Sequence, residues 1–376
     1  MDTNNTINKL QGRISTVSIQ GFRSLKKVEN LELGELTILI GGNGVGKSNF
    51  IRFFEMLSWM HRSQQLQQFV LRHGGGDDQL FMGSRATSEI KAEIRIKTKF
   101  GANDYRFELA HIHARDTLIL SQEAYRFSNY QYPDEADWSI LPDFGKESVL
   151  SEQNNSTAKT IHHLLKQSSV YQFHDTSKNS SIHTRWDLSD FAFLRSDGGN
   201  LAPILFDLKE NDKIRYRQIV RQIQRILPTF DDFFLESVTG KVLLSWKSKF
   251  SDKTLGTHLT SDGSLRVFCL LTLLNLPMDR LPDILFFDEP ELGLHPHAIT
   301  LVSEMIKRVA KQKQVFIATQ SPYMVDCFDL ENIIVADAVD GATSFRTLPS
   351  NQYQRWIEED YGLSDIWLKS PVGLPL

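Results

Sequence analysis

Gly41-Gly42-Asn43-Gly44-Val45-Gly46-Lys47-Ser48 has the residue types and spacing to grip a chain of phosphates. It satisfies the pattern G-x-x-x-x-G-K-[ST] in full. Glycines let successive backbone N–H groups close around phosphate oxygens, and a following helix N-terminus adds a favourable dipole. Gly41, Asn43, Gly44, Gly46, Lys47, Ser48 and Asn49 are therefore expected to hold ATP. Lys47 would reach the β- and γ-phosphates, and Ser48 would hold Mg²⁺. Far downstream, Ile284-Leu285-Phe286-Phe287-Asp288-Glu289 is an apolar run ending in two carboxylates, the Walker B pattern. Asp288 would hold the Mg²⁺ water shell and Glu289 would polarise the attacking water. The plainer reading is an acidic turn before Pro290. Between the two lies Leu259-Thr260-Ser261-Asp262-Gly263-Ser264-Leu265-Arg266. Ser261 or Asp262 could simply cap the apolar helix Leu265 to Leu274. The sharper reading makes Ser261 and Gly263, at a helix N-terminus shortly before Walker B, ligands of a γ-phosphate.

These groups need elements to carry them. Thr37 to Ile40 is short, apolar and β-branched, so it reads as a buried strand. Phe50, Phe53, Phe54, Leu57 and Met60 recur at helical spacing. Strand, glycine loop and helix follow in the order that phosphate binding needs. Ile14 to Ile19 and Val28 to Leu33 read as strands around Gly21 to Lys26. Ile90, Ala92, Ile94 and Ile96, then Tyr105, Phe107 and Leu109, then Leu118 to Leu120, alternate as in an antiparallel meander with one wet face. From Ser128 to Asp187 the pattern weakens into a polar stretch with Pro133 and Pro142, read as an inserted arm with a few helical turns. Lys213 to Leu227 reads as a helix with Arg217, Arg221 and Arg225 along one face, either a solvated face or a phosphate-contacting stripe. Asp337 and Asp340 are read as flanking a hairpin turn before Gly341. The expected division is residues 1–127 and 188–376 as two parts of one nucleotide-binding head, and 128–187 as the arm. The fold class is α/β: a P-loop core with an antiparallel β subdomain.

Composition narrows the classes further. The chain has 376 residues and a net charge of −4, with no global sign of nucleic-acid binding. Cys269 and Cys327 sit in apolar surroundings, as small core residues of a reducing cytosol do. His162, His163, His174 and His183 match no common zinc spacing. The polar start Met1 to Asn8 lacks a signal-peptide core, and no apolar run reaches membrane-spanning length. A soluble cytoplasmic protein is expected.

The glycine loop, Ser261 to Arg266, the run Asp288-Glu289-Pro290-Glu291-Leu292-Gly293-Leu294-His295-Pro296, and Thr319-Gln320-Ser321-Pro322 resemble the RecF/OLD-like branch of ABC-type ATPases. They resemble most its stand-alone bacterial ATPases. Gly74-Gly75-Gly76 and Phe193-Leu194-Arg195 match in style, and the likeness runs from Ile14 to the C-terminus. It implies a homodimer with ATP sandwiched between subunits, Ser261 and Gly263 touching the γ-phosphate on the other subunit. Glu291 to His295 would be the D-loop and Gln320 the switch residue. Glutamine is no general base, so Gln320 would orient water while Glu289 activates it. Gln122 is the candidate for the Q-loop, and Arg23 and Lys26 are candidates to approach the nucleotide. OLD nucleases carry a TOPRIM domain after the ATPase, and the residues after Ser321 are too few for one of ordinary size. The resemblance thus implies a separate effector, such as a TOPRIM-type nuclease, in anti-phage defence or DNA maintenance. The alternatives are a RecF-like DNA-binding repair ATPase and the energising subunit of a transporter.

Overall fold

The computed structural model describes residues 12–62, 64–131, 136–142, 145–173, 177, 179–348 and 363. The residues before Gly12, together with Pro133, His174 and the residues after 348 other than Leu363, lie outside them. The chain forms two compact units. One takes the chain up to Ser169 and resumes at Leu330; the other is built on Val170–Asp329. The expected arm contributes to both.

The first unit opens with β1 (Arg13–Phe22) and β2 (Leu25–Glu32), a hairpin closing at Phe22 and Leu25. β3 (Leu36–Ile40) is wholly buried, as its unbroken apolar run requires, and feeds the glycine loop and α1 (Lys47–Arg62). α2 (Leu66–Arg72) follows, then β4 (Glu89–Lys97), β5 (Gly101–Ile112), β6 (Thr117–Asn129) and β7 (Ser139–Ile140). These strands make an antiparallel sheet in the order β2-β1-β4-β5-β6-β7. Ile90, Ala92, Ile94 and Ile96 face inward, so the alternation read from sequence is the sheet's apolar face. Phe53 of α1 stacks on Phe107 of β5 with centroids 6.3 Å apart, which closes that face over the helix. α3 (Ser156–Lys166) is capped by Asn155 and packs on α1 through buried Ala158, Ile161 and Leu164. β8 (Ser168–Tyr171) leads out of this unit.

The second unit contains β9 (Trp186–Asp187), α4 (Leu201–Asn211), α5 (Lys213–Ile226), β10 (Phe230–Phe233), β11 (Ser237–Val238) and β12 (Lys241–Val242). β13 (Ser245–Ser248), β14 (Ser251–Gly256) and α6 (Asp262–Asn275) follow. β15 (Ile284–Asp288), α7 (Pro296–Ala310), β16 (Gln314–Thr319) and α8 (Pro322–Val325) complete it. Phe230, Phe233, Trp246 and Phe268 form an aromatic core between β10, β13 and α6. β15 and β16 run parallel, Asp288 opposite Ala318, and Phe286 stacks on Phe316 at 4.6 Å. This register sets the carboxylates beside the end of β16.

The chain returns to the first unit as β17 (Ile333–Val339), parallel to β3, and β18 (Ala342–Thr347), antiparallel to β17. Asp340 and Gly341 turn between them at φ 49° and 75°, the positive-φ pair of a two-residue hairpin. The fold is mixed α/β with an antiparallel subdomain, as the sequence suggested.

Candidate nucleotide site

The phosphate loop belongs to the first unit. Lys47 is buried, and its ammonium donates to the carbonyls of Gly41 and Gly42, each at 2.8 Å. The crest Gly42 to Gly44 and Ser48 are exposed. Gly46 has φ 104°, and a Cβ there would lie 1.9 Å from Thr343 Oγ1 and 2.5 Å from Ser24 Oγ. Only glycine lets the loop sit this close to its support. That support was not foreseen. Ser24 and Thr343 share a hydrogen bond of 2.7 Å, and Thr343 Oγ1 donates to the Val45 carbonyl at 2.8 Å. The amide of Asn49, expected among the phosphate ligands, donates to Ser24 Oγ at 2.8 Å. The β1–β2 turn and the β17–β18 hairpin thus brace the loop from behind. Arg23 turns its guanidinium to Gln79 Oε1 at 3.0–3.1 Å and to the His73 carbonyl. Lys26 lies over the Phe81 ring.

The carboxylates belong to the second unit. Asp288 is buried at the end of β15, and its Oδ2 accepts from the Gln172 amide at 3.0 Å. Tyr171 stacks on Phe287 with centroids 5.9 Å apart, which delivers Gln172 to that carboxylate. Gln122, the Q-loop candidate, lies in β6 and pairs with Glu108. The signal for Gln172 was the short run Ser168 to Tyr171 immediately before it, hidden in a polar stretch.

Glu289 continues the ladder with its N–H to the Ala318 carbonyl at 2.8 Å, but at φ 46°. A left-handed backbone at a non-glycine residue costs on the order of 1 kcal/mol. The turn closes through Leu292 N–H to the Glu289 carbonyl and Leu294 N–H to the Glu291 carbonyl. Glu291 is buried; its Oε1 accepts from Thr319 Oγ1, whose oxygen accepts from Ser321 N–H at 3.0 Å. Burial first, then the Glu289 charge, push the Glu291 carboxyl above its ordinary value. Gln320 is half-buried between β16 and α8.

Ser261 is the N-cap of α6, accepting from Ser264 N–H at 3.3 Å, and both it and Asp262 are exposed. A Cβ on Gly263 would lie 2.7 Å from the Gly293 carbonyl. Arg266 donates to the carbonyls of Leu292 and Phe173 at 3.0 and 3.1 Å. The start of α6 is thereby fixed to the 289–294 turn, a role for Arg266 and Gly263 that pattern alone did not reveal. Among the described residues, no group of three or more His, Cys, Asp or Glu could hold a metal. None of their helices is long and apolar enough to cross a membrane.

Two solved structures share this fold. One is "Crystal structure of the SmcHead bound to the C-winged helix domain of ScpA", with TM-score 0.56 and 17% identity, covering 91% of this chain and 99% of that one. The other is the Smc head domain with an extended coiled coil bound to the C-terminal domain of ScpA, derived from Pyrococcus furiosus. It has TM-score 0.53 and 16% identity, covering 93% and 99%. No curated protein matches the sequence significantly. A family profile spans residues 36–326, from β3 to the turn after α8. With the glycine loop, the strand-end carboxylates and the head fold in place, the chain belongs to the family described as "AAA_21: AAA domain, putative AbiEii toxin, Type IV TA system", an ABC-type P-loop ATPase.

Proposed function

We propose that this chain hydrolyses ATP, that two copies close around the nucleotide, and that closure switches a separate partner protein in the cytoplasm. The observation that carries the reading is Asp288, buried at a strand end with the Gln172 amide on one oxygen and Glu289, at φ 46°, next in the chain. In this reading Lys47 and the backbone of Gly41, Asn43, Gly44 and Gly46 bind the phosphates. Glu289 takes a proton from the attacking water while Gln320 orients it. Ser48 and Asp288 offer hard oxygen donors of the kind Mg²⁺ takes, and the ion would offset charge on the β- and γ-phosphates. Ser261 and Gly263, at the exposed start of α6, supply γ-phosphate contacts to the other copy. ATP can shift only an equilibrium whose two states it binds differently, and closure creates that difference. The RecF/OLD-like resemblance directs the switch toward prokaryotic anti-phage defence or DNA maintenance, with a TOPRIM-type nuclease as one kind of effector.

Mixed dimers test it. Lys47→Ala and Ser261→Arg should each be inactive alone, and mixing them should rebuild one intact site per heterodimer and restore partial turnover. No recovery on mixing, with dimers verified by light scattering, would overturn the sandwich.

A second reading, a RecF-like ATPase on duplex DNA, is favoured by α5. Arg217, Arg221 and Arg225 are exposed one turn apart and have no ion pair or hydrogen bond among the described residues. Like charges at this spacing destabilise a helix unless a partner neutralises them. DNA affinity that falls with salt, with a shallower slope after Arg217→Gln, Arg221→Gln and Arg225→Gln, would support it.

A further inference from the structure

We propose that Glu291 is the positioning residue for Gln320: its carboxyl clamps the backbone on both sides of the switch glutamine and ties it to the 289–294 turn. This rests on the reading of Gln320 as the side chain that orients water.

The clamp follows from the hydrogen bonds. A hydroxyl has one proton to give. Thr319 gives its proton to Glu291 Oε1 and takes the Ser321 N–H on its own oxygen. Gln320, between them, has its two neighbours fastened through one hydroxyl to one carboxyl. The Gln320 backbone N–H faces the same carboxyl. Thr319 is fully buried and Glu291 is 8% exposed, so water does not compete for these bonds.

The other end of the clamp is the turn that carries Glu289. The Glu291 carbonyl holds Leu294 N–H at 2.9 Å, and the Leu292 carbonyl holds Arg266 of α6. One carboxyl therefore joins the segment of Gln320 to the turn that backs the exposed start of α6. A displacement of α6 or of this turn is passed to the segment of Gln320 through Glu291, alongside the Glu289 N–H to Ala318 carbonyl bond.

Packing alone does not account for the residue. Among the described residues, Glu291 Oε2 is buried without a hydrogen-bond partner. An incompletely satisfied carboxyl costs stability, and an apolar side chain of similar volume would fill the space better. An amide in its place would keep the acceptor for Thr319, so glutamine should work where alanine fails.

The full chain and its Glu291→Gln, Glu291→Ala, Thr319→Ser and Thr319→Val variants decide the matter. Steady-state ATP turnover should show kcat lowered roughly 10- to 100-fold in Glu291→Ala and Thr319→Val, the scale of a misplaced reacting group, with KM little changed. Glu291→Gln and Thr319→Ser should keep most of the wild-type kcat. The double variant Glu291→Ala/Thr319→Val should be no worse than the poorer single one, because both act through one link. Hydrogen exchange without nucleotide should be faster at the Ser321 amide in Glu291→Ala and Thr319→Val, and unchanged in Glu291→Gln. Normal kcat in Glu291→Ala, equal loss in Glu291→Gln, or additive losses would overturn the clamp. If Glu291→Ala does not fold, the contrast between Thr319→Ser and Thr319→Val tests the same link. If the wild-type chain turns over no ATP, the ATPase reading fails, and exchange at Ser321 still decides whether the clamp exists.

Discussion

Glu123 in the first unit and Glu291 in the second are both buried carboxyls, and burial pushes both above their ordinary values. Their surroundings differ. Glu123 Oε1 accepts from Tyr105 and Ser148, and its Oε2 accepts from Val149 N–H at 3.1 Å. Both oxygens are used. Glu291 has one oxygen engaged and, among the described residues, one without a hydrogen-bond partner. Glu123 sits in strand β6, two residues past a bulge at Ser121; near Glu291 the backbone includes Glu289 at φ 46°. The first arrangement is what a structural network looks like, fully satisfied because each loose end in low dielectric is costly. The second leaves a polar atom and a strained residue in place. That is where stability is given up for geometry.

Three measurements bear on this contrast, beginning with the largest effect. Glu123→Ala leaves Tyr105 Oη, Ser148 Oγ and Val149 N–H without their acceptor. It should lower unfolding stability by roughly 3 kcal/mol or more, while ATP turnover of the folded protein stays near wild type. Urea unfolding and turnover measured on the same sample check both parts. A loss below about 1 kcal/mol would mean the network is not structural in this sense.

The next effect depends on pH. His61 on α1 is buried beside Tyr105 and His162, and neither ring nitrogen has a hydrogen-bond partner among the described residues. Burial first, then His162, lowers its pKa from 6.5 to about 3. The unfolded chain therefore takes up a proton between those values that the folded chain refuses. Stability from this group is complete above 6.5 and declines as pH falls, by about 2 kcal/mol at pH 5. Glu123 and Glu291, both raised, titrate with the opposite sign, so the wild-type curve mixes them. The difference between wild type and His61→Leu isolates the histidine. It should favour the leucine variant increasingly below pH 6.5, and a difference flat from pH 7 to 5 would exclude the effect.

The smallest effect lies at the strained turn. Glu289→Gly relieves the left-handed backbone and should raise stability by on the order of 1 kcal/mol, while turnover is lost. Glu289→Gln keeps the strain, so it should match wild type in thermal stability and still lose at least about a hundredfold in rate. Equal stability for all three would show that the turn carries no strain.

Local features were legible in the residues because local forces make them. The glycine loop, the buried strand before it and the apolar face of α1 are matters of glycine freedom and periodicity. The hairpin at Asp340-Gly341 needs only two residues that accept positive φ. The helix at Lys213 and the alternating meander follow in the same way. The stretch from Ser128 to Asp187 was harder to read, because its helix is half polar and its place depends on α1.

Contacts between distant positions were decided by the fold alone. Gln172 meets Asp288 only because Tyr171 stacks on Phe287. Thr343 and Ser24 brace Val45 and Gly46 only because β17 pairs with β3 and its hairpin returns to the β1–β2 turn. Glu291 reaches Thr319 because β15 and β16 run in parallel register, with Asp288 beside Ala318. Composition and spacing carry the propensities of neighbouring residues. Hydrogen bonds across many residues depend on which strands pair and in which register, and that choice is made by burying the whole apolar surface at once.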